Sequence, residues 1–270
     1  MNLLGMLLAA LIGLSLGVMG GGGSILTVPI FVYVLGYGAK QAIAMSLPVV
    51  GVTSLVGAAM HWRAGNVALK PALLVGVAAM AGAYLGARLA VFLTGGVQLI
   101  MLAVIMLLAA GSMLRSGRQR PTSGQGDEAP AGAPAPALMI AAGLGVGVLT
   151  GIVGIGGGFL IVPALVIPGR VPMKQAVGTS LLVIAMNSAA GFAGYLGTVA
   201  IPWGVLSAFT AVSAAGVVAG TYLVRFISAA ALKRAFAFFL LAIGALMLVQ
   251  NRGAVKRAPA STPASAPAHG

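Results

Sequence analysis

The chain has 270 residues, of which 60% are apolar or aromatic and 6% charged, with a mean hydropathy of +1.10. A soluble domain keeps about 25% of its residues charged to solvate its surface, so this composition excludes a soluble enzyme and a disordered chain. The absence of cysteine excludes a disulfide scaffold. The formal net charge of +13 arises because fifteen Lys and Arg face two acids, the adjacent Asp127 and Glu128. The basic residues lie at the ends of apolar runs and form no cluster, so a nucleic-acid partner is not expected. Apolar runs of about 20 residues recur without polar alternation, which predicts an all-α polytopic membrane protein rather than an outer-membrane barrel.

The N-terminus carries no basic stretch ahead of its first apolar run, so a cleaved signal peptide is not expected. That first run, Leu3–Leu35, is interrupted by Gly20–Gly23 and followed by predicted helices over 41–60, 69–93 and 97–114. Residues 115–137 hold Arg115, Arg118, Arg120, both acids and a Pro/Gly/Ala/Ser stretch, the composition of a flexible linker. A second interrupted run over 138–167 contains Gly154-Ile155-Gly156-Gly157-Gly158 and leads into predicted helices over 175–196, 203–224 and 233–250. The Ala/Pro/Ser-rich stretch 252–270 reads as a disordered tail.

The two halves are one motif used twice. A shift of 134 aligns Gly17–Gly57 with Gly151–Gly191 without a gap, and 16 of the 41 pairs are identical. Gly20, Gly22, Gly23 and Pro29 fall on Gly154, Gly156, Gly157 and Pro163, and Lys40-Gln41-Ala42 falls on Lys174-Gln175-Ala176. The expected organisation is therefore a first membrane repeat (1–114), a cytoplasmic linker (115–137), a second membrane repeat (138–251) and a tail (252–270). Each repeat would hold one broken or re-entrant helix plus three transmembrane helices.

Charge placement chooses between crossing and returning. If each interrupted run crosses once, eight basic residues fall inside and seven outside, which is no bias. If each returns to its own side, with the linker inside, ten fall inside and only Lys40, Arg88 and three tail residues outside. The positive-inside rule favours the second arrangement. That arrangement gives the halves opposite orientations, the inverted-repeat plan of many secondary transporters. Its unexplained feature is a basic tail on the outside.

A glycine-interrupted membrane helix exposes backbone N–H groups where its second segment starts, and the helix dipole adds partial positive charge there. Two such starts, near Ser24 and near Gly158, would face each other at mid-membrane and form an anion site without a buried Lys or Arg. Gly22, Gly23, Ser24, Gly156, Gly157 and Gly158 are the candidate backbone donors. Close helix packing alone would also explain glycine, but less readily the duplicated cluster with its matched downstream proline. No strand precedes either cluster and no Gly-Lys-Ser/Thr follows, so neither is a nucleotide loop.

The following helix of each half carries a polar stripe: Ser46, Thr53, Ser54, Gly57 and His61 in the first, Ser180, Asn187, Ser188, Gly191 and Tyr195 in the second. Their spacing puts each stripe on one helix face, where polar residues within a span face protein or a water-filled path. Ser46, Thr53, Ser180 and Asn187 are the candidate path-lining residues, although Ser and Thr also bond back to helix carbonyls. His61 is a gating candidate, or an interfacial residue in a belt with Trp62 and Arg63. Gly82-x-x-x-Gly86 and Gly216-x-x-x-Gly220 would set close helix contacts, within the chain or in a homodimer. No predicted span contains Asp or Glu, which removes carboxylate proton relays and acid-lined cation paths. There is likewise no catalytic constellation, no metal-ligand cluster and no cofactor motif, so an enzyme is not expected.

The duplicated half, with Gly-Gly-Gly-Gly-Ser-Ile-Leu-Thr-Val-Pro at 20–29, Gly-Ile-Gly-Gly-Gly-Phe-Leu-Ile-Val-Pro at 154–163 and Lys-Gln-Ala followed by Ser-Leu, resembles the TauE/SafE family. The resemblance implies a multi-pass permease of the bacterial inner membrane for small sulfur-containing anions such as sulfite or sulfonates. This chain departs from that pattern in its long linker and tail. The expected function is alternating-access transport of such an anion across the lipid bilayer. A passive channel for a weakly acidic or neutral solute, and a non-transporting membrane assembly factor, are the rival readings.

Overall fold

The computed structural model describes residues 3–116, 135–166, 169–223 and 229–251. The expected linker 115–137, apart from its ends, and the expected tail 252–270 lie outside the described residues. Helix α1 covers Leu3–Met19 and is continued by a 3-10 helix at Gly20–Leu26, a single α-turn α2 at Thr27–Pro29 and a π-turn at Ile30–Val34. There follow α3 (Ala39–Arg63), α4 (Leu69–Ala90) and α5 (Gly95–Ser116). The second half repeats the order with α6 (Pro136–Val153), α7 (Gly158–Val166), α8 (Met173–Tyr195), α9 (Trp203–Leu223) and α10 (Ala229–Asn251). Among the described residues there is no strand. Among the described residues five helices are long and apolar enough to cross a bilayer: α3, α4, α6, α8 and α9.

Both interrupted runs turn back on themselves. Gly23 lies against α1, where a Cβ would sit 2.7 Å from Leu16 N and 2.8 Å from Ile12 O. In the second half Gly157 lies against Thr150 and Val146 of α6, and Gly169, past the end of α7, lies 3.0 Å from Met139 near the start of α6 by the same measure. The turn follows from the sequence. Gly154 ends α6 in the left-handed conformation (φ 75°, ψ 20°), its N–H bonded to Thr150 O at 2.7 Å. Gly156 and Gly157 are left-handed too, a conformation that costs a residue with a Cβ about 1–2 kcal/mol.

The halves interlock through parallel pairs that match under the repeat. α4 lies along α6 with Val75 facing Gly143, Ala79 facing Gly147 and Ala83 facing Gly151, and α9 lies along α1 with Ser213 facing Gly13 and Val217 facing Gly17. These contacts also settle the small-residue pairs. Gly82 and Gly86 are buried on α6, and Gly216 and Gly220 on α1. At each of them a Cβ would collide with backbone. Those faces are filled within the chain, which corrects the expectation that they could join a homodimer.

At the centre α3 crosses α8. Gln41, near the start of α3, donates to Ala200 O just beyond α8 at 2.8 Å. Gly51 sits opposite Ser188, and Gly57 opposite Leu181. The two equivalent helices therefore run antiparallel. The second glycine loop is seated on this crossing, with Gly154 against Ile43 and Ser46 of α3 and Gly156 against Val50 of α3 and Ile184 of α8.

Candidate functional site

The backbone of residues 154–158 is the centre of the candidate site. After the left-handed cap at Gly154, the chain runs through Ile155, Gly156 and Gly157, all buried, before α7 begins at Gly158. Leu160 and Ile161 already donate to Gly157 O, each at 3.0 Å. The N–H groups at the very start of α7 have no partner within their own helix, and the helix dipole is positive there. Gly156 and Gly157 carry no side chain of their own over this backbone, and Val50, Ile184, Thr150 and Val146 pack closely on it.

Two side chains of α8 border the loop. Ser188 is fully buried, its hydroxyl lies 3.4 Å from where a Cβ of Gly156 would stand, and it has no hydrogen-bond partner. Asn187 is 1% exposed and gives its amide N–H to Thr150 Oγ1 at 2.6 Å. Thr150 in turn donates to Gly147 O at 2.9 Å, and its methyl packs against Gly157. In this arrangement Thr150 Oγ1 accepts from Asn187 and spends its own hydrogen on Gly147 O, and the amide oxygen points away from Thr150. Asn187 Oδ1 is left buried without a partner, as are the hydroxyls of Thr27 and Ser54.

The remaining expected residues sit differently. Ser46 is fully buried and its hydroxyl is shared between Ile43 O at 2.6 Å and Gly154 O at 2.5 Å, so it ties the first half to the second loop. Thr53 bonds back to Val49 O and Val50 O at 2.7 and 3.1 Å, and Ser180 to Val177 O at 2.8 Å. Both hydroxyl hydrogens are spent on their own helices. Gly22, Gly23 and Ser24 belong to the 3-10 helix Gly20–Leu26 rather than to a helix start. A 3-10 helix closes i→i+3 bonds along its own backbone, so the first half presents no open turn like the second. His61 lies in the last turn of α3 against Gly178, ten residues beyond Gly51, and is not brought to the loop. Its buried Nδ1 has no partner.

Thr150 was not singled out by the sequence reading, and neither was Gln98. Gln98 donates to Ile152 O at 2.9 Å and to the Tyr195 hydroxyl at 3.2 Å, and that hydroxyl also reaches Ile152 O at 3.2 Å. Together they hold the last turn of α6 just ahead of the loop. Among the described residues no cluster of His, Cys, Asp or Glu could hold a metal ion.

The family model for the sulfite exporter TauE/SafE matches residues 5–256. The chain belongs to this family. A protein of Xylella fastidiosa described as a probable membrane transporter is 30% identical over 236 residues, covering 86% of this chain and 89% of its own. A Bacillus subtilis protein of the same description is 30% identical over 186 residues, covering 69% and 75% respectively. One from the archaeon Methanocaldococcus jannaschii is 37% identical over 113 residues, 39% of this chain and 42% of its own. No solved structure matches the chain.

TauE/SafE membership and the apolar helices make this chain a multi-pass membrane transporter rather than an enzyme, with the lipid bilayer as its surroundings and a solute as its cargo. A signal for Thr150 was present in the repeat. Where the first half has Leu16 and Thr53, the second has Thr150 and Asn187. Two polar replacements on neighbouring elements, in one half only, mark a contact that the other half lacks.

Proposed function

We propose that this TauE/SafE protein is an inner-membrane permease for a small anion of the sulfite or sulfonate class, bound at the Gly154–Gly158 loop and moved by alternating access. The observation that carries the reading is the Ser188 hydroxyl, buried and unpartnered beside the left-handed Gly156, just ahead of the start of α7. Donors and a helix dipole converge there with no carboxylate among the described residues to repel an anion.

The antiparallel crossing of α3 and α8, which the repeat makes equivalent, supports an inverted repeat, and the bias of basic residues supports a cytoplasmic linker. The return of Gly169 to the start of α6 supports a re-entrant rather than a crossing run. Complete burial of Gly156, Asn187 and Ser188 favours an occluded state of a carrier over an open channel. On the side where α3 starts and α8 ends, Gly38, Lys40, Gln41, Gly95 and Ala200 line an open recess of about 460 Å³. Lys40 makes that recess cationic, as an anion entrance would be.

The test is uptake of labelled sulfite and of short sulfonates into proteoliposomes containing the purified protein. Saturable uptake, competed by the unlabelled anion and lost in Gly156→Leu, is the expected outcome. Flux that rises without saturation, or that Gly156→Leu leaves intact, would refute the site.

A further inference from the structure

Resting on that reading, we infer that the transported anion also carries a hydrogen-bond donor, such as a hydroxyl, an amine or a protonated oxygen, and that Asn187 Oδ1 receives it. The backbone N–H groups of the loop and the Ser188 hydroxyl can donate to an anion. Asn187 Oδ1 can only accept. In the structure the amide N–H faces Thr150, whose own hydrogen goes to Gly147 O, and the oxygen faces away.

That oxygen is buried and has no partner in the protein. A buried acceptor left unmatched is costly, and a ligand that supplies a donor removes the cost. Asn187 itself borders the loop, because its partner Thr150 packs on Gly157 and the adjacent Ser188 lies against Gly156. A bare oxyanion would satisfy the serine and the backbone and still leave Asn187 Oδ1 unpaired. An anion with its own donor would satisfy every group. The first half offers no such acceptor, since the equivalent Thr53 is bonded to its own helix.

Two probes of nearly equal size separate the cases: 2-hydroxyethanesulfonate, which has the hydroxyl, and propane-1-sulfonate, which has a methyl group in its place. Binding of each to the purified full chain in lipid nanodiscs is measured by titration calorimetry. The expected result is a preference of about tenfold or more for the hydroxylated probe. In Asn187→Thr, which installs the residue that the first half carries, the ratio of the two affinities falls to near unity.

Equal affinity of the wild-type protein for the two probes overturns the inference and leaves the anion site standing. So does a preference that survives Asn187→Thr, or one that follows added Na⁺ instead of the probe hydroxyl. Failure of either probe to bind, with sulfite also silent, overturns the anion site itself. The wild-type comparison decides the matter even if the variant does not fold.

Discussion

Gly20–Leu26 and Gly154–Gly158 hold equivalent places in the two halves, yet the first winds as a 3-10 helix while the second opens through three left-handed glycines. The surrounding contacts differ in the same direction. The second loop is tied from outside by Ser46 on Gly154 O, from below by Gln98 and Tyr195 on Ile152 O, and from the side by Thr150 bonded to Asn187. In the first half Leu16 and Thr53 stand where Thr150 and Asn187 stand in the second. A duplicated backbone motif thus takes two conformations, and polar neighbours tie down the second copy.

The sharpest way to break this comparison is at the glycines themselves. Gly156→Ala puts a Cβ on a left-handed residue and drives it into Val50. It should abolish uptake and cost at least about 1–2 kcal/mol of stability from the backbone alone. Gly22→Ala, at the equivalent place, meets no left-handed penalty within a 3-10 helix. Uptake assays and thermal unfolding of the two variants side by side should show a large effect for the first and a clearly smaller one for the second. Equal losses would mean that both clusters do the same work.

The Thr150–Asn187 pair is the next lever. Thr150→Val leaves the Asn187 N–H buried without an acceptor and should destabilise by about 1–3 kcal/mol. Combined with Asn187→Thr, it should cost less than the sum of the singles, with a coupling of at least about 0.5 kcal/mol in a double-mutant cycle. Additive losses would show that the bond does not hold the loop.

The smallest expected difference lies between the two equivalent serines. Ser46→Ala removes the tie to Gly154 O and should cost about 0.5–1.5 kcal/mol together with a drop in uptake. Ser180→Ala removes only a local bond to Val177 O and should be close to neutral. If Ser180→Ala is the more damaging change, the assignment of the site to the second loop loses its support.

Much of the fold was legible in the sequence because it rests on signals a bilayer enforces. The apolar runs located α3 (Ala39–Arg63) and α9 (Trp203–Leu223) to within a few residues, and the glycine clusters marked both returns. The asymmetry between the returns was not legible. Gly20–Gly23 and Gly154–Gly158 look alike in composition, and what separates them is the partners that the fold brings in: Ser46 from another repeat, Gln98 from α5, and the direction of one amide. The stripe on α8 pointed to Asn187 correctly as buried, but Thr53 and Ser180 turned out to bond their own helices. Hydroxyls have that local option, and a buried amide has it less readily.

The most direct test of the central claim is to locate the anion. Crystals of the full chain soaked with selenite, an oxyanion with a strong anomalous signal, should show one anomalous peak. The expected position is within hydrogen-bond distance of the backbone at Gly156–Gly158 and of the Ser188 hydroxyl. A peak at Gly20–Gly23, or at equal strength in both halves, would contradict the account.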